Sequence, residues 1–399
     1  MTEIASIGVR ERPVGEAPAR LGFRLYSGED GLAEVEREWD AAAVTVAHPR
    51  FQHLYPWFAA CARHAAGPGS ARVFVARDGD VPVGIFPLVA RARRIGGVPV
   101  RALELHASAH ALMCDVVFEP CPARAGLVAA LVEHLRAEVP GWDVLALPNL
   151  LEDSAGWFSL SACPPARLVV EEAEGCKVLP VIPSEQRLAA LPKSFRGTLR
   201  RSRTRLAEQP GVEFVRARTP AELPEAVAAF LEVEGSGWKG AHGSAINRDE
   251  RRVAFYRSVA LDFAALGLAE VNLLRIAGKP VAAEFCLKVG RCLYLLKVGY
   301  DEQFAKLVPG HLLLEHVLER CAAERDVDTV NLVSDAPWSA YWRAQELARR
   351  SAFVFNATAR GLASYAAMRG RQALRPAVRR LRAALRPPPG ARNPSGGEA

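Results

Sequence analysis

The stretch Lys306-Leu307-Val308-Pro309-Gly310-His311-Leu312 follows an apolar run and opens a segment of helical spacing. Proline suits the first helical position, because its missing N–H would have had no partner there. The amides that follow, at Gly310, His311 and Leu312, carry the positive end of the helix dipole, and no acidic side chain in the first turn neutralises it. Such a start favours a phosphate or a similar anion, and Gly310 lets a bulky group approach the backbone. An ordinary proline-started helix uses the same residues, so the stretch alone leaves both readings open.

Three other stretches invite chemistry. "GSGWKG" (235–240) resembles a phosphate-binding P-loop, but Lys239 is followed by Gly240 instead of Ser or Thr and the glycine spacing is wrong. "FRGTLRRSRTRL" (195–206) puts Phe195, Leu199, Ser202 and Leu206 on one helical face and Arg196, Arg200 and Arg203 on another. An arginine row suits phosphate or carboxylate, and a solvated helix face has the same pattern. His106 and His110 stand four apart, with Cys114 and Asp115 beyond. That spacing would hold a metal on a helix, but the segment reads as a loop after a strand, so no metal is expected and the loop is expected to line a cleft.

The elements that must position these groups are those of a chain of 399 residues, 50% hydrophobic and 24% charged. That length fits two domains. No apolar run is long enough to span a bilayer, and residues 1–20 lack a signal-peptide core. Eight cysteines without a C-x-x-C pair read as reduced thiols, so a cytoplasmic protein is expected. Nine arginines against Glu398 put a charge of +8 after Ala359, so the remainder of a chain with net charge +7 sums to −1. Basicity belongs to the tail, and the body gives no electrostatic reason to expect nucleic acid.

An internal repeat organises the chain. Residues 71–105 and 269–298 each read as a strand, a glycine turn, a strand opened by Pro-Val, another turn and a third strand. Each is followed by a helix and a further strand. Leu127, Ala130, Leu131, His134 and Leu135 form a stripe in the first copy; Leu312, Leu313, Val317, Leu318 and Cys321 form one in the second. This order twice over implies a duplicated α/β (α+β) unit of mixed, mostly antiparallel sheets flanked by helices. Between the copies, "EEAEGCKVLP" reads as a crossover strand. "APWSAYWRAQELARR" reads as helical and "SAFVFNAT" as a closing strand.

Across nearly the whole chain the sequence resembles the GNAT-type acetyltransferases that include CelD-like proteins associated with cellulose biosynthesis, related in fold to FemAB peptidyl transferases. The resemblance rests on the order of "FRGTLRRSRTRL" (195–206), "FLEVEGSGWKG" (230–240), "AFYRSVA" (254–260), residues 278–313 and "NLVSDAPWSAYW" (331–342), with "VPVGIFPLVARARR" (81–94) in the first copy. It implies two tandem GNAT-like domains, in which the fourth strand splays from its neighbour and an acyl-coenzyme A lies in the notch. Carried onto this chain, Lys297, Val298 and Gly299 pair with pantetheine, while Val308, Pro309, Gly310, His311 and Leu312 cradle the pyrophosphate. The first copy has "EPCPARAGLVAAL" at the equivalent place, without Pro-Gly, so one cofactor site is expected, with the first copy shaping the acceptor cleft. Trp238 and Lys239 lie near that cleft in the resemblance. Lys239 then holds an acidic acceptor or a cofactor phosphate, or else is a solvated loop lysine anchored by Trp238. Arg200 is carried as a third substrate-binding candidate. Relatives place a lysine after the aromatic beyond Asp335, whereas Trp338 is followed here by Ser339.

Acyl transfer to an amine needs a dipole for the oxyanion, a base for the ammonium proton and an acid for the thiolate. Asp301 and Asp335 follow strands, where working residues of open α/β sheets gather. Glu284 is expected across from Lys297 if the hairpin turns at Gly290-Arg291, as a held base or a cross-strand ion pair. Asp301 is the first choice of base and Glu284 the second; Tyr300 is a possible thiolate donor, and His311 is expected to titrate beside the phosphates.

The expected protein transfers an acyl group, acetyl foremost, from acetyl-CoA to an amine or hydroxyl of a small-molecule or glycan-precursor acceptor, without a metal. The alternatives are a FemAB-like aminoacyl transferase using charged tRNA and a non-catalytic scaffold in polysaccharide export. The expected divisions are a flexible 1–20, a first domain 21–175, a second domain 176–360, a basic amphipathic helix 361–386 interrupted at Pro376, and a disordered 387–399. The basic helix either docks on the body or makes peripheral contact with anionic lipid.

Overall fold

The computed structural model describes residues 21–67, 69–105, 113–236 and 246–384. Trp238, Lys239, His106 and His110 fall outside that range.

The first half runs β1 (Leu21–Ser27), α1 (Gly28–Ala43), α2 (Tyr55–Ala60), β2 (Ala71–Asp78), β3 (Val81–Ile95), β4 (Val98–Leu105), α3 (Leu127–Glu138), β5 (Val144–Leu151), α4 (Ala155–Ala162) and β6 (Leu168–Pro180). The second runs α5 (Ser184–Ala190), α6 (Lys193–Ala207), β7 (Glu213–Ala217), α7 (Leu223–Ser236), α8 (Glu250–Ala265), β8 (Ala269–Ile276), β9 (Lys279–Val289), β10 (Cys292–Tyr300), α9 (Pro309–Glu324), β11 (Thr329–Asn331), β12 (Gln345–Phe355) and α10 (Ala359–Ala384).

Two-residue turns close the hairpins of both copies. In the second, Ile276 pairs with Lys279 around Ala277-Gly278, and Val289 with Cys292 around Gly290-Arg291. Gly278 and Gly290 sit at φ 77° and 58°, the left-handed conformation such turns require. The amphipathic stripes bury as read: Phe195, Leu199, Ser202 and Leu206 on α6, and Leu312, Leu313, Val317, Leu318 and Cys321 on α9.

The twelve strands form one sheet, in the order β1-β2-β3-β4-β5-β12-β6-β11-β10-β9-β8-β7. Each half builds five consecutive places and then exchanges a strand. β12, from the end of the chain, lies beside β5, while β6, from the first half, lies beside β11; the two exchanged strands pair antiparallel at the centre. The division drawn at 175/176 therefore falls within a strand. Where β6 and β12 slip register, the buried Arg349 guanidinium donates to the carbonyls of Glu174 and Gly175.

One local reading is corrected. "AQELARR" is the start of β12, not helix, with a 3₁₀ turn only over Pro337–Trp342. Pairing on both edges, to β5 and β6, outweighs the helical propensity of Glu, Leu, Ala and Arg.

α10 lies on the body. Met368, 1% exposed, joins Ile95, Val100, Val144, Val169 and Phe355. The Ser364 hydroxyl donates to Ile95 O (2.7 Å) and Gln372 Nε2 to Val170 O (2.7 Å). The helix continues through Pro376, where an interruption was expected. Among the described residues, no helix is long and apolar enough to cross a membrane.

Candidate active site

β10 and β11 are parallel neighbours over three pairs only: Cys292↔Thr329, Leu293↔Val330 and Tyr294↔Asn331. After Tyr294 they part. β10 stays with β9 as far as Tyr300↔Ala282, with a bulge between Leu295 and Lys297. The chain after Asn331 stays with β6, where Leu332 N–H donates to Lys177 O (2.8 Å) and Lys177 N–H to Ser334 O (3.1 Å). A V-shaped notch thus opens from Tyr294 and Asn331 towards Tyr300. At Gly299 α7 crosses β10 so closely that a Cβ would stand 2.9 Å from Glu234 Cα.

The wide end of the notch meets the start of α9. Val308 caps it in the left-handed region (φ 46°), Pro309 takes the first helical position, and no side chain caps the turn. The His311 and Leu312 amides turn back to Val308 O, at 3.0 and 3.2 Å, so Gly310 keeps the first outward amide. This narrows the expectation of several converging donors. Around Gly310 there is room: an added Cβ would find only Tyr300 Cδ1, at 3.9 Å. The exposed Lys306 lies one turn earlier. In the first half β4 and β5 also pair over three residues, but the start of α3 is filled. There Val128 N–H donates to Ser159 Oγ (3.0 Å), whose hydroxyl donates to Ala125 O (2.7 Å).

The other candidates distribute as follows. Tyr300, 41% exposed, stands at the wide end beside Gly310. Asp301 is buried there, accepting from Lys279 Nζ (2.7 Å) and Gln303 N–H (3.0 Å). Burial pushes its pKa up, but the bonds from Lys279 and Gln303 outweigh it and hold the carboxyl below its ordinary value. Glu284 lies across from Val298 and Asn272, not Lys297, because the bulge in β10 moves the register by one. It is 2% exposed, and its Oε2 has no partner among the described residues. Burial first, then the charge of Glu270, push its pKa up to about 8 against the pull of Arg320, so it is protonated at neutral pH. Asp335 is 35% exposed and 3.4 Å from Lys177 Nζ. Val333 sits in the left-handed region (φ 58°), and its N–H donates to Asn331 Oδ1 (2.8 Å).

His311 departs from its expected role. Trp342 Nε1–H donates to its Nδ1 (3.0 Å), so its proton sits on Nε2, and Phe195, Trp338 and Tyr341 surround the ring. Burial pushes its pKa down to about 4, so it stays neutral near pH 7. Of the arginine row, Arg203 is spent on a bidentate pair with Glu315 and Arg196 on the Leu188 and Ala189 carbonyls. Arg200 is exposed; its carbonyl accepts from the Thr204 hydroxyl (3.3 Å).

Residues 193–340 match the family model described as an acetyltransferase (GNAT) domain. This segment is similar to a GNAT domain. It contains the notch, the bulge and the start of α9. No curated protein matches the chain in sequence. Among solved structures, FemX superposes with a TM-score of 0.55 at 11% identity, covering 79% of this chain and 95% of its own. A C-terminal domain from Agrobacterium fabrum assigned to lysylphosphatidylglycerol synthetase gives 0.52 at 15%, covering 86% and 97%. A conserved protein of unknown function from Bacteroides thetaiotaomicron gives 0.51 at 15%, covering 82% and 97%. At these identities the likeness is one of fold, and it extends across both halves beyond the matched segment.

The sequence did not point to Arg50, Tyr294, Asn331 or Lys177, which gather at the narrow end of the notch. Arg50 and Lys177 belong to no quoted motif, and the four are spread over more than two hundred residues of chain. The one local hint was polar Arg50, Gln52 and His53 interleaved with aromatics in "PRFQHLYPW".

Proposed function

We propose that the chain is an acyl-CoA-dependent acyltransferase, with acetyl the expected group and an amine or hydroxyl of a small-molecule or glycan-precursor acceptor as its destination. The observation that carries this reading is the parting of β10 and β11 after Tyr294 and Asn331, beside an uncapped helix start with open space at Gly310. Backbone groups of Lys297, Val298 and Gly299 would hold pantetheine, and the turn Val308–Leu312 with Lys306 the pyrophosphate. The bound co-substrate supplies a thioester as acyl donor.

A strand rises about 3.3 Å per residue, so Tyr300 and Asp301 stand roughly 20 Å along β10 from the narrow end. We therefore assign them to the phosphate end and give the proton-accepting role to Asp335, which is partly exposed and lies 3.4 Å from Lys177 Nζ. Glu284, sealed and protonated, is a structural acid in this reading.

The test is incubation with labelled acetyl-CoA and a metabolite extract, followed by mass spectrometry. An acetylated amine or hydroxyl compound supports the reading. Label transfer from aminoacyl-tRNA alone would instead mark aminoacyl transfer, and no transfer from either would leave a scaffold.

A further inference from the structure

The turn Arg50-Phe51-Gln52-His53 of the first half reaches the narrow end of the notch, where the Phe51 ring stands 4.9 Å from that of Tyr294. The turn is firmly held. His53 Nδ1 accepts from Arg50 N–H (3.1 Å), which leaves Nε2–H to donate to the buried Asp115 carboxylate (3.1 Å). Trp39 Nε1–H donates to His53 O (2.7 Å). Asp115 in turn accepts from the amides of Val116 (2.9 Å), Ala155 (3.1 Å) and Gly156 (2.9 Å). Its charge also favours the Arg50 guanidinium, second to that of the counter-ion which Arg50 hydrogen-bonds.

That counter-ion is Asp153, whose Oδ2 lies 2.6 Å from Arg50 Nη2. The pair is lopsided: the Arg50 side chain is 19% exposed and that of Asp153 is 68% exposed. Among the described residues this is the one hydrogen bond its guanidinium donates. A guanidinium presents five donors in a fork that fits a carboxylate by two bonds. A buried cation needs an anion, whereas an exposed carboxylate returns to water at little cost. Close by, the Tyr294 hydroxyl bonds Cys292, and burial pushes its pKa far up, so it remains a neutral donor.

We propose that Arg50 is the recognition residue for a carboxylate on the acceptor, and that Asp153 occupies its place until the acceptor arrives. The inference rests on the acyltransferase reading and adds to it the class of acceptor: an amine or hydroxyl compound that also carries a carboxylate. Anchoring the turn beforehand removes the ordering cost of binding from the substrate.

The experiment compares matched pairs of amines, each an amino acid and its carboxamide, as stabilisers of the CoA-saturated protein in thermal unfolding. At least one acid should stabilise it while its amide does not. Asp153→Asn should improve that acid's apparent affinity several-fold, and Arg50→Gln should abolish the difference. Arg50→Lys, which keeps the charge, guards against loss of fold and should retain a weakened preference for the acid. Equal stabilisation by acid and amide, stabilisation by neither, or indifference to Asp153→Asn overturns the proposal. Failure of CoA itself to stabilise the protein refutes the acyltransferase reading instead.

Discussion

Phe51 and Tyr294, two hundred and forty-three residues apart, meet edge to face with ring centroids 4.9 Å apart. Tyr294 is the last residue of β10 joined to β11, so the first half touches the second where its sheet opens. The duplicated halves are thus one working unit: the second forms the notch, and the first reaches over its narrow end. The exchange of β6 and β12 fixes the two halves in this relation.

Gly299 is where α7 crosses β10, and a Cβ there would meet Glu234 backbone at 2.9 Å. Gly299→Ala is expected to push the helix outward and to cost about 1–3 kcal/mol, as overpacking does. Urea unfolding checks this, with an expected lower midpoint at unchanged slope.

Glu284 predicts a pH dependence. Its folded pKa of about 8 exceeds its ordinary 4.5, so the folded state holds this proton more tightly than the unfolded chain. Its contribution to stability is full below pH 4.5, falls as pH rises and is lost above about 8. The slope in that window is on the order of 1 kcal/mol per pH unit. Urea midpoints from pH 5 to 8 should fall more steeply for the wild type than for Glu284→Gln, which keeps the shape and cannot ionise.

Asp335 and Asp301 are distinguished by what each loses. Asp335→Asn is expected to lower kcat roughly 10²-fold, the range of a general base, without changing CoA affinity. Asp301→Asn weakens the Lys279 pair and the Gln303 contact that start the 3₁₀ turn before α9. It should cost about 1 kcal/mol of stability and raise the KM for acetyl-CoA. Steady-state kinetics with the acceptor found by labelling decides between them.

Met368→Ala tests the docked helix. Deleting a buried methionine side chain costs about 2–5 kcal/mol. The variant should unfold earlier in urea, whereas Leu374→Ala, at a position 62% exposed, should leave the midpoint nearly unchanged.

Much of this was legible in the sequence because it is local. Glycine turns, apolar alternation and the α9 stripe specify the hairpins and helices of both copies, and Pro309-Gly310 marks the open helix start. The strand exchange was hidden, because β6 and β12 are defined by partners far away in the chain, and the alanine- and arginine-rich "AQELARR" carries helical propensity. The offset of Glu284 was hidden too, since one bulged residue in β10 moves the register and leaves no signature in composition. Arg50 draws its meaning from Asp153 and Tyr294, which only the fold brings together.

The central claim is that the notch and the start of α9 form a site for the phosphates and pantetheine of coenzyme A. Isothermal titration of the protein with coenzyme A tests it most directly, with Gly310→Glu beside the wild type. That substitution fits the open space at Gly310 but places a carboxylate where the phosphates belong. The account predicts one coenzyme A per chain for the wild type and at least about tenfold weaker binding for the variant, at equal thermal stability. No binding by the wild type, or equal binding by both, would contradict it.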